Sequence, residues 1–156
     1  MYVASLWSTG NASDTAVSSL LQLHVEPLLV RHQVDLVLTG HHHSYQRTCP
    51  VRGNKCVGPG GVAALRRAAL HHALDHVEFQ RLAEAVRPPP GAPIHLVLGH
   101  GGAGYSTLIP DPLPGVFEVV ALRHGYLRIE ADRSALSVES VEADTGAIID
   151  SFRVFK

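Results

Sequence analysis

The sequence predicts an α/β fold with mixed sheets, and two observations support this prediction. A helical pattern of apolar residues leads through a very short connection into the apolar run Val34–Leu38, which is the order of an αβ unit. Further along, segments with alternating apolar and polar residues are separated by turn residues, which is typical of strands. With 156 residues and a hydrophobic fraction of 46%, the chain is long enough for one domain with a core.

The first predicted element is a helix that begins near Asp14, with Asn11 or Ser13 as its N-cap. Apolar and neutral residues recur at helical spacing and form one face: Val17, Leu20, Leu21, His24, Val25 and Leu28. Pro27 is expected to kink or restart the helix, because proline cannot donate the next backbone hydrogen bond. The strand Val34–Leu38 follows, and its nearly continuous apolar run predicts burial on both faces.

The second half of the chain contains one further helical pattern and several strand patterns. Between two segments rich in glycine and proline, residues 62–86 are rich in alanine and leucine at helical spacing, which predicts one long or broken helix. A flexible glycine-rich loop is expected over 99–104. The predicted strands are Ile94–Leu98, Phe117–Leu122, Gly125–Ala131, Leu136–Ala143 and Ala147–Phe155.

The segment 36–47 is the most informative one for function. Its apolar run ends abruptly at Thr39-Gly40, and a His-x-His pair follows at once. Successive side chains of an extended segment point to opposite sides, so we expect His41 and His43 to face the same way. Two imidazoles at the carboxyl end of a strand form half of a metal clamp, since imidazole suits zinc and iron. The alternative is a pair of surface or hydrogen-bonded loop histidines.

Cys49 and Cys56 flank a short segment that resembles a hairpin with Gly53-Asn54 at its tip. One interpretation is a small disulfide that pins the histidine loop, as in an exported protein. The other is two unrelated thiols; the pair lacks the Cys-x-x-Cys spacing of a zinc site. Asn11 begins a formal Asn-x-Ser glycosylation acceptor, which also points towards export, although such tripeptides are common.

Charge and hydropathy argue against several classes of partner. The formal net charge of −1 gives no electrostatic reason to expect binding to nucleic acid or to a membrane surface. No apolar run approaches the ~20 residues that a transmembrane helix needs, and no signal peptide opens the chain. His72 and His76 lack the intervening Glu of a metalloprotease helix, and the loop over 99–104 lacks the end of a P-loop.

Residues 34–51 read Val-Asp-Leu-Val-Leu-Thr-Gly-His-His-His-Ser-Tyr-Gln-Arg-Thr-Cys-Pro-Val. This segment resembles the last metal-binding block of the purple acid phosphatases. These binuclear metallophosphoesterases carry Gly-His-x-His followed by an aromatic residue and then, often, Glu or Gln and Arg. The resemblance continues in Pro93–Gly99 and Gly125–Ile129 and runs on to Asp150-Ser151-Phe152. It covers most of the chain, but only the C-terminal part of a family catalytic domain.

The resemblance implies the C-terminal portion of a metallophosphoesterase α/β/β/α sandwich. The sheets would be mixed, and the sandwich would be incomplete. Residues 1–156 would then be a single partial domain, in which 57–92 is a helical insertion and 93–156 holds the C-terminal strands. The blocks that supply the family's bridging aspartate, tyrosinate and asparagine ligands are not found. We therefore expect a C-terminal fragment that starts just after the block containing a further histidine ligand.

The resemblance also implies a binuclear metal centre of Fe³⁺ with Zn²⁺, Mn²⁺ or Fe²⁺, which hydrolyses phosphate monoesters. By motif position His41 would bind the divalent metal and His43 the ferric one. Tyr45 and Arg47 would brace the loop, with Arg47 paired to a nearby carboxylate. The expected location is secreted, or vacuolar or lysosomal. Because most ligands are missing, we predict a fragment that is inactive alone; the alternative is a non-catalytic binding or scaffolding module derived from the fold.

Overall fold

The computed structural model describes residues 12–57, 84–86, 88–105 and 115–155. The elements in chain order are α1 (Ala12–His24), α2 (Glu26–Arg31), β1 (Leu36–Thr39), β2 (Tyr45–Arg52), β3 (Lys55–Cys56), β4 (Glu84–Val86), β5 (Ile94–Leu98), β6 (Phe117–Ala121), β7 (Gly125–Ala131), β8 (Ala135–Glu142) and β9 (Ile148–Phe155). Two sheets with few helices confirm the predicted α/β class with mixed sheets. Within these ranges no helix is both long enough and apolar enough to cross a membrane.

The first sheet is mixed and has β2 in its interior. Its strand order is β1-β5-β2-β3, and β6 also pairs with β2. β1 runs parallel to β5, whereas β2 runs antiparallel to both β5 and β6. The second sheet has the order β4-β9-β8-β7; β4 is parallel to β9, and the other pairs are antiparallel.

The two sheets share one hydrophobic core. Its buried members come from β2 and β5 of the first sheet and from β8 and β9 of the second: Tyr45, Ile94, Leu96, Val138, Phe152 and Val154. Such contacts between side chains of two sheets mean that the sheets pack face to face. A smaller cluster of Cys49, Val51 and Val116 lies further along β2.

The predicted break in the first helix is confirmed. The helix restarts at Glu26 with Pro27 in its first turn, as the proline predicts. α1 begins at Ala12 rather than near Asp14. Several large apolar side chains of the predicted face and its flank are exposed: Val17, Leu20, Leu23 and Leu28. Helical periodicity identified the face but did not determine whether anything covers it.

The prediction that the first strand is buried on both faces is also wrong. β1 ends the strand order of its sheet, and within the described ranges it pairs with β5 alone. Leu38 is 49% exposed, and the other three residues of β1 are partly buried. The apolar run correctly predicts a strand. It does not tell whether that strand lies at the edge of its sheet or in the middle.

The predicted helix over 62–86 is corrected at its C-terminal end. Glu84–Val86 forms β4, which pairs in parallel with Phe152–Val154 of β9. The backbone N–H and C=O groups of these residues pair with the edge of an existing sheet. The spacing of apolar residues within a short segment carries no information about such a distant partner. The rest of that prediction, most of the proposed insertion and Asn11 lie outside the described residues. The tail strands agree with prediction to within one residue at each end.

β5 also carries a buried titratable group that is not a member of the shared core cluster. His95 of β5 is 2% exposed, and its backbone N–H donates to Thr48 Oγ1 at 3.0 Å. Burial lowers the pKa of His95 from 6.5 to about 4, because the charged imidazolium loses its hydration. The folded chain therefore keeps His95 neutral at pH values where the unfolded chain would protonate it.

This difference predicts a loss of stability in acid. Above pH 6.5 neither state protonates His95; between pH 6.5 and about 4 the unfolded state binds more protons, so stability falls as the pH falls. We expect the free energy of unfolding of His95→Gln to fall by a few kcal/mol less than that of the wild type over this pH window. Urea unfolding at about pH 7.5 and about pH 4.5 measures the difference, with the exposed His32→Gln as the matched control. Equal acid sensitivity of His95→Gln and the wild type would contradict the assignment.

Candidate metal site

Three loops meet at one edge of the first sheet, and strand direction explains why. β1 and β5 are parallel, with Thr39 paired to Val97, so both strands end at the same edge. Since β2 is antiparallel to β5, it begins at that edge, where Tyr45 pairs with Leu98. The turn before β7 joins them, because Gly125 N–H donates to His100 O at 2.9 Å.

The histidine loop, residues 40–44, turns sharply between β1 and β2. Residues 41–44 form bends rather than a strand, and His41 has a left-handed backbone with φ of 81°. The expected alternation of an extended segment therefore does not apply, because the chain reverses here instead of continuing β1. His41 and His43 are both exposed, while His42 is partly buried.

The histidine loop packs against the glycine loop, residues 99–105, that follows β5. The Nδ1 atom of His43 lies 2.6 Å from Gly104 O. A carbonyl oxygen only accepts, so Nδ1 carries the proton of this hydrogen bond. A Cβ added to Gly99 would lie 1.8 Å from His42 O, which is too close for any other residue at this position.

Two candidate metal ligands lie at this edge, and they do not form a complete site by themselves. Imidazole is a suitable ligand for zinc or iron, and both histidines are accessible. Zinc sites in proteins take three or four protein ligands, however. Among the residues described, no three His, Cys, Asp or Glu side chains come together as a metal-binding group. His41 and His43 therefore do not make a binuclear centre without ligands from elsewhere.

A buried ionic network holds the strand that follows the histidine loop. Arg47 Nε donates to Asp150 Oδ2 at 2.7 Å, and Arg47 Nη1 donates to Glu118 Oε2 at 2.6 Å. Tyr45 OH donates to the same Asp150 oxygen at 2.7 Å. The side chains of the Arg47–Asp150 pair are 5% and 3% exposed. Since Asp150 lies on β9, the network links the two sheets behind the loop.

The network fixes the charge states of its members. Burial raises the pKa of the Tyr45 phenol well above its usual value, and the nearby Asp150 carboxylate acts in the same direction, so Tyr45 is a neutral donor. Burial alone would lower the pKa of Arg47, but Asp150 and Glu118 outweigh it and hold that pKa above its usual value. The Arg47 guanidinium also lies 4.9 Å from the centre of the Phe152 ring.

The sequence predicted that Arg47 would meet a carboxylate, and it meets two. It did not identify Asp150 or Glu118. Asp150 interrupts the run Ile148-Ile149-Asp150-Ser151-Phe152 on a strand that enters the core. Asp150 alternates with the apolar Ile148, Phe152 and Val154 on one face of this strand. A charge on such a face was the available signal for a buried ion pair, because an unpaired buried charge is too costly to keep.

The two cysteines form a disulfide with Cα atoms 5.6 Å apart. The hairpin tip lies between them, and Gly53 and Asn54 both have positive φ, as a type I′ turn requires. Gly53 N–H donates to Glu26 Oε1 at 2.6 Å, which attaches the tip to α2. The disulfide therefore closes the far end of the strand that begins at the histidine loop.

Comparison with known proteins identifies the origin of this arrangement. Residues 92–151 match the family described as iron/zinc purple acid phosphatase-like protein C. Probable inactive purple acid phosphatase 1 of Arabidopsis thaliana is 28% identical over 133 residues, covering 85% of this chain and 18% of that protein. The chain is related to the C-terminal part of purple acid phosphatases. This confirms the resemblance that the histidine block predicted.

Other relatives of the purple acid phosphatase type agree. Acid phosphatase A of Cryphonectria parasitica is 28% identical over 153 residues, covering 96% of this chain and 25% of that protein. The solved structure of purple acid phosphatase PPD1 from yellow lupin (Lupinus luteus) seeds matches with a TM-score of 0.64 and 23% identity, which shows the shared fold. The match covers 84% of this chain and 19% of the lupin chain. The chain thus spans between about a fifth and a quarter of these proteins.

The buried network gives a stability prediction. Asp150→Ala leaves the Arg47 guanidinium buried beside one carboxylate instead of two, and we expect it to cost about 3–5 kcal/mol. The exposed Arg128–Glu139 pair, on β7 and β8, is the matched control, since Arg128 is 49% exposed and Arg128→Ala should change stability little. Denaturant unfolding of both variants measures the difference. Equal effects would show that burial of the Arg47–Asp150 pair does not matter.

The left-handed backbone of His41 gives a second prediction. Alanine is strained at a φ of 81° and glycine is not, so His41→Gly should be more stable than His41→Ala by about 1 kcal/mol. Both variants lack the imidazole, so the comparison isolates the backbone. His32, with φ of −93°, is the control, and there glycine should be the less stable replacement. Thermal unfolding measures the stability of the four variants. If glycine is the more stable replacement at both positions, or alanine at both, the left-handed conformation of His41 is contradicted.

Proposed function

We propose that this chain serves as the C-terminal part of a metal-dependent acid phosphatase that hydrolyses phosphate monoesters. In this proposal His41 and His43 are ligands of a binuclear centre of Fe³⁺ with Zn²⁺, Mn²⁺ or Fe²⁺, and the other ligands come from outside the chain. The observation that carries the proposal is the accessible histidine loop on a buried ionic support, in a chain related to purple acid phosphatases.

The support behind the loop favours a ligand role over a surface role. Binding residues are commonly placed on loops that a rigid scaffold positions. Tyr45 lies two residues after His43, and its side chain is fully buried and hydrogen-bonded to Asp150.

The chain alone is proposed to be inactive. Two imidazoles cannot offset the charge of two metal ions or complete their coordination, so metal binding should be weak. A metal-dependent hydrolase loses orders of magnitude in rate when an element of its site is missing. No step of the reaction can therefore be assigned to the described residues beyond holding metal.

The alternative is a non-catalytic binding or scaffolding module derived from the same fold. The names of several relatives favour it, since those of Arabidopsis thaliana include probable inactive purple acid phosphatases 1 and 27. In that case the buried network would preserve the fold while the histidine loop no longer binds metal.

Zinc titration and a phosphatase assay test the proposal together. We expect the chain to bind zinc weakly and through the histidine loop, so His43→Ala should reduce the affinity while His32→Ala, an exposed histidine of a different element, should not. We also expect no hydrolysis of an aryl phosphate at acidic pH. In a longer protein that carries the upstream ligand blocks, activity should appear and His41→Ala should abolish it.

Three results would overturn all or part of the proposal. Tight zinc binding that survives loss of both His41 and His43 would refute the ligand assignment. A longer protein that carries the upstream blocks, folds and binds no metal would instead support the non-catalytic module. Metal-dependent turnover by the chain alone would contradict the view that ligands from elsewhere are needed.

A further inference from the structure

A second histidine, His124, also binds the glycine loop. His124 Nε2 lies 3.0 Å from Ala103 O, one residue before the Gly104 carbonyl that contacts His43. Because a carbonyl oxygen only accepts, His124 donates from Nε2. Two imidazoles thus bind consecutive carbonyl groups of one loop, His43 from the histidine loop and His124 from the turn before β7.

Tyr105 strengthens the attachment between the glycine loop and His124. Its ring stacks on the His124 ring with centroids 4.5 Å apart. Its hydroxyl accepts from the His124 backbone N–H at 3.2 Å. Residues 103–105 are therefore attached to the turn by one ring stack and two hydrogen bonds, each between a side chain and a backbone group.

The turn itself is anchored in the second sheet. Ala143 N–H donates to His124 O at 2.9 Å, at the end of β8. A Cβ added to Gly125 would lie 2.3 Å from Val141 O, so the backbone of the turn lies directly against β8. A continuous set of contacts runs from β8 through His124 and the glycine loop to the ring of His43.

We propose that His124 and Tyr105 are positioning residues that hold the Gly104 carbonyl against Nδ1 of His43, and so fix His43 as the Nδ1–H tautomer with its lone pair on Nε2. Neutral imidazole in water favours the other tautomer, so the hydrogen bond to Gly104 reverses the usual preference. If the proposed function is right, His43 binds its metal through Nε2. Metal-binding histidines in proteins usually donate their other ring N–H to a carbonyl or carboxylate in this way.

The tautomer can be measured without any metal. Long-range ¹H–¹⁵N correlation spectra of the whole chain, at about pH 8 where imidazole is neutral, distinguish the protonated ring nitrogen from the other one. We expect Nδ1 of His43 to be protonated in the wild type and Nε2 to become the main protonated nitrogen in His124→Ala. His124→Gln should restore the wild-type state, because its amide can donate to Ala103 O.

Controls separate positioning from general loss of structure. Tyr105→Ala removes the stack but keeps His124, so it should shift the tautomer in the same direction and provides a second variant if His124→Ala does not fold. His32→Ala should change nothing. A wild-type His43 protonated on Nε2 would overturn the proposal, as would a His43 tautomer that is the same in folded His124→Ala.

Zinc titration of the same variants distinguishes this inference from the proposed function. We expect His124→Ala to bind zinc roughly 10-fold more weakly, and His124→Gln to bind like the wild type. If neither wild type nor variant binds zinc while the tautomer follows His124, the ligand role fails and the positioning role stands. If zinc binds through His43, and neither the affinity for zinc nor the His43 tautomer changes in His124→Ala, the positioning role fails and the ligand role stands.

Discussion

The buried ion pair between Arg47 and Asp150 is the constraint on which the rest of the structure depends. Both side chains are almost fully inaccessible, and a charge at such depth is tolerated only when it is paired and hydrogen-bonded. The pair joins β2 of the first sheet to β9 of the second, and Tyr45 and Glu118 satisfy further atoms of it. The relative placement of the two sheets is thereby fixed at one point in the core, close behind the histidine loop.

The histidine loop inherits its position from this core in two ways. From behind, Tyr45 and Arg47 fix the strand that begins where the loop ends. From the side, the glycine loop contacts the ring of His43 and is attached through His124 to the second sheet. Two anchors in different sheets constrain a loop more tightly than one, and exact placement of ligand groups is what a metal site requires.

Buried histidines set a limit on acid tolerance. His95 is buried on β5 and held neutral, and burial also lowers the pKa of His100, with the nearby charge of His124 acting in the same direction. The disulfide between Cys49 and Cys56, next to the second apolar cluster, adds stability that does not depend on the titration of these histidines, because it constrains the unfolded chain.

Local sequence patterns predicted most of the fold. The alternating pattern located β7, β8 and β9 to within a residue at each end, because successive side chains of a strand point to opposite faces. It could not predict β4, whose three residues become a strand through pairing with β9, nor the edge position of β1, which depends on strand order. These features are set by contacts distant in sequence, which a local window does not contain.

The site was predicted in its residue types and only partly in its arrangement. The histidine pair and Arg47 were identified from spacing and from resemblance. The alternation assumed for His41 and His43 failed because the left-handed backbone at His41 turns the chain. The supporting groups were missed for a physical reason: Gly104 contributes a backbone carbonyl, which every residue has, and Asp150 lies far along the chain from the arginine it pairs with.

Native-state hydrogen exchange in increasing denaturant tests most directly whether the buried ion pair makes the two sheets one cooperative unit. We expect the slowly exchanging amides of β2 and β9 to share one opening free energy, equal to that of global unfolding, because neither strand can leave without exposing the Arg47–Asp150 pair. Amides of β2 that exchange through a separate opening of much lower free energy, while those of β9 stay protected, would contradict it.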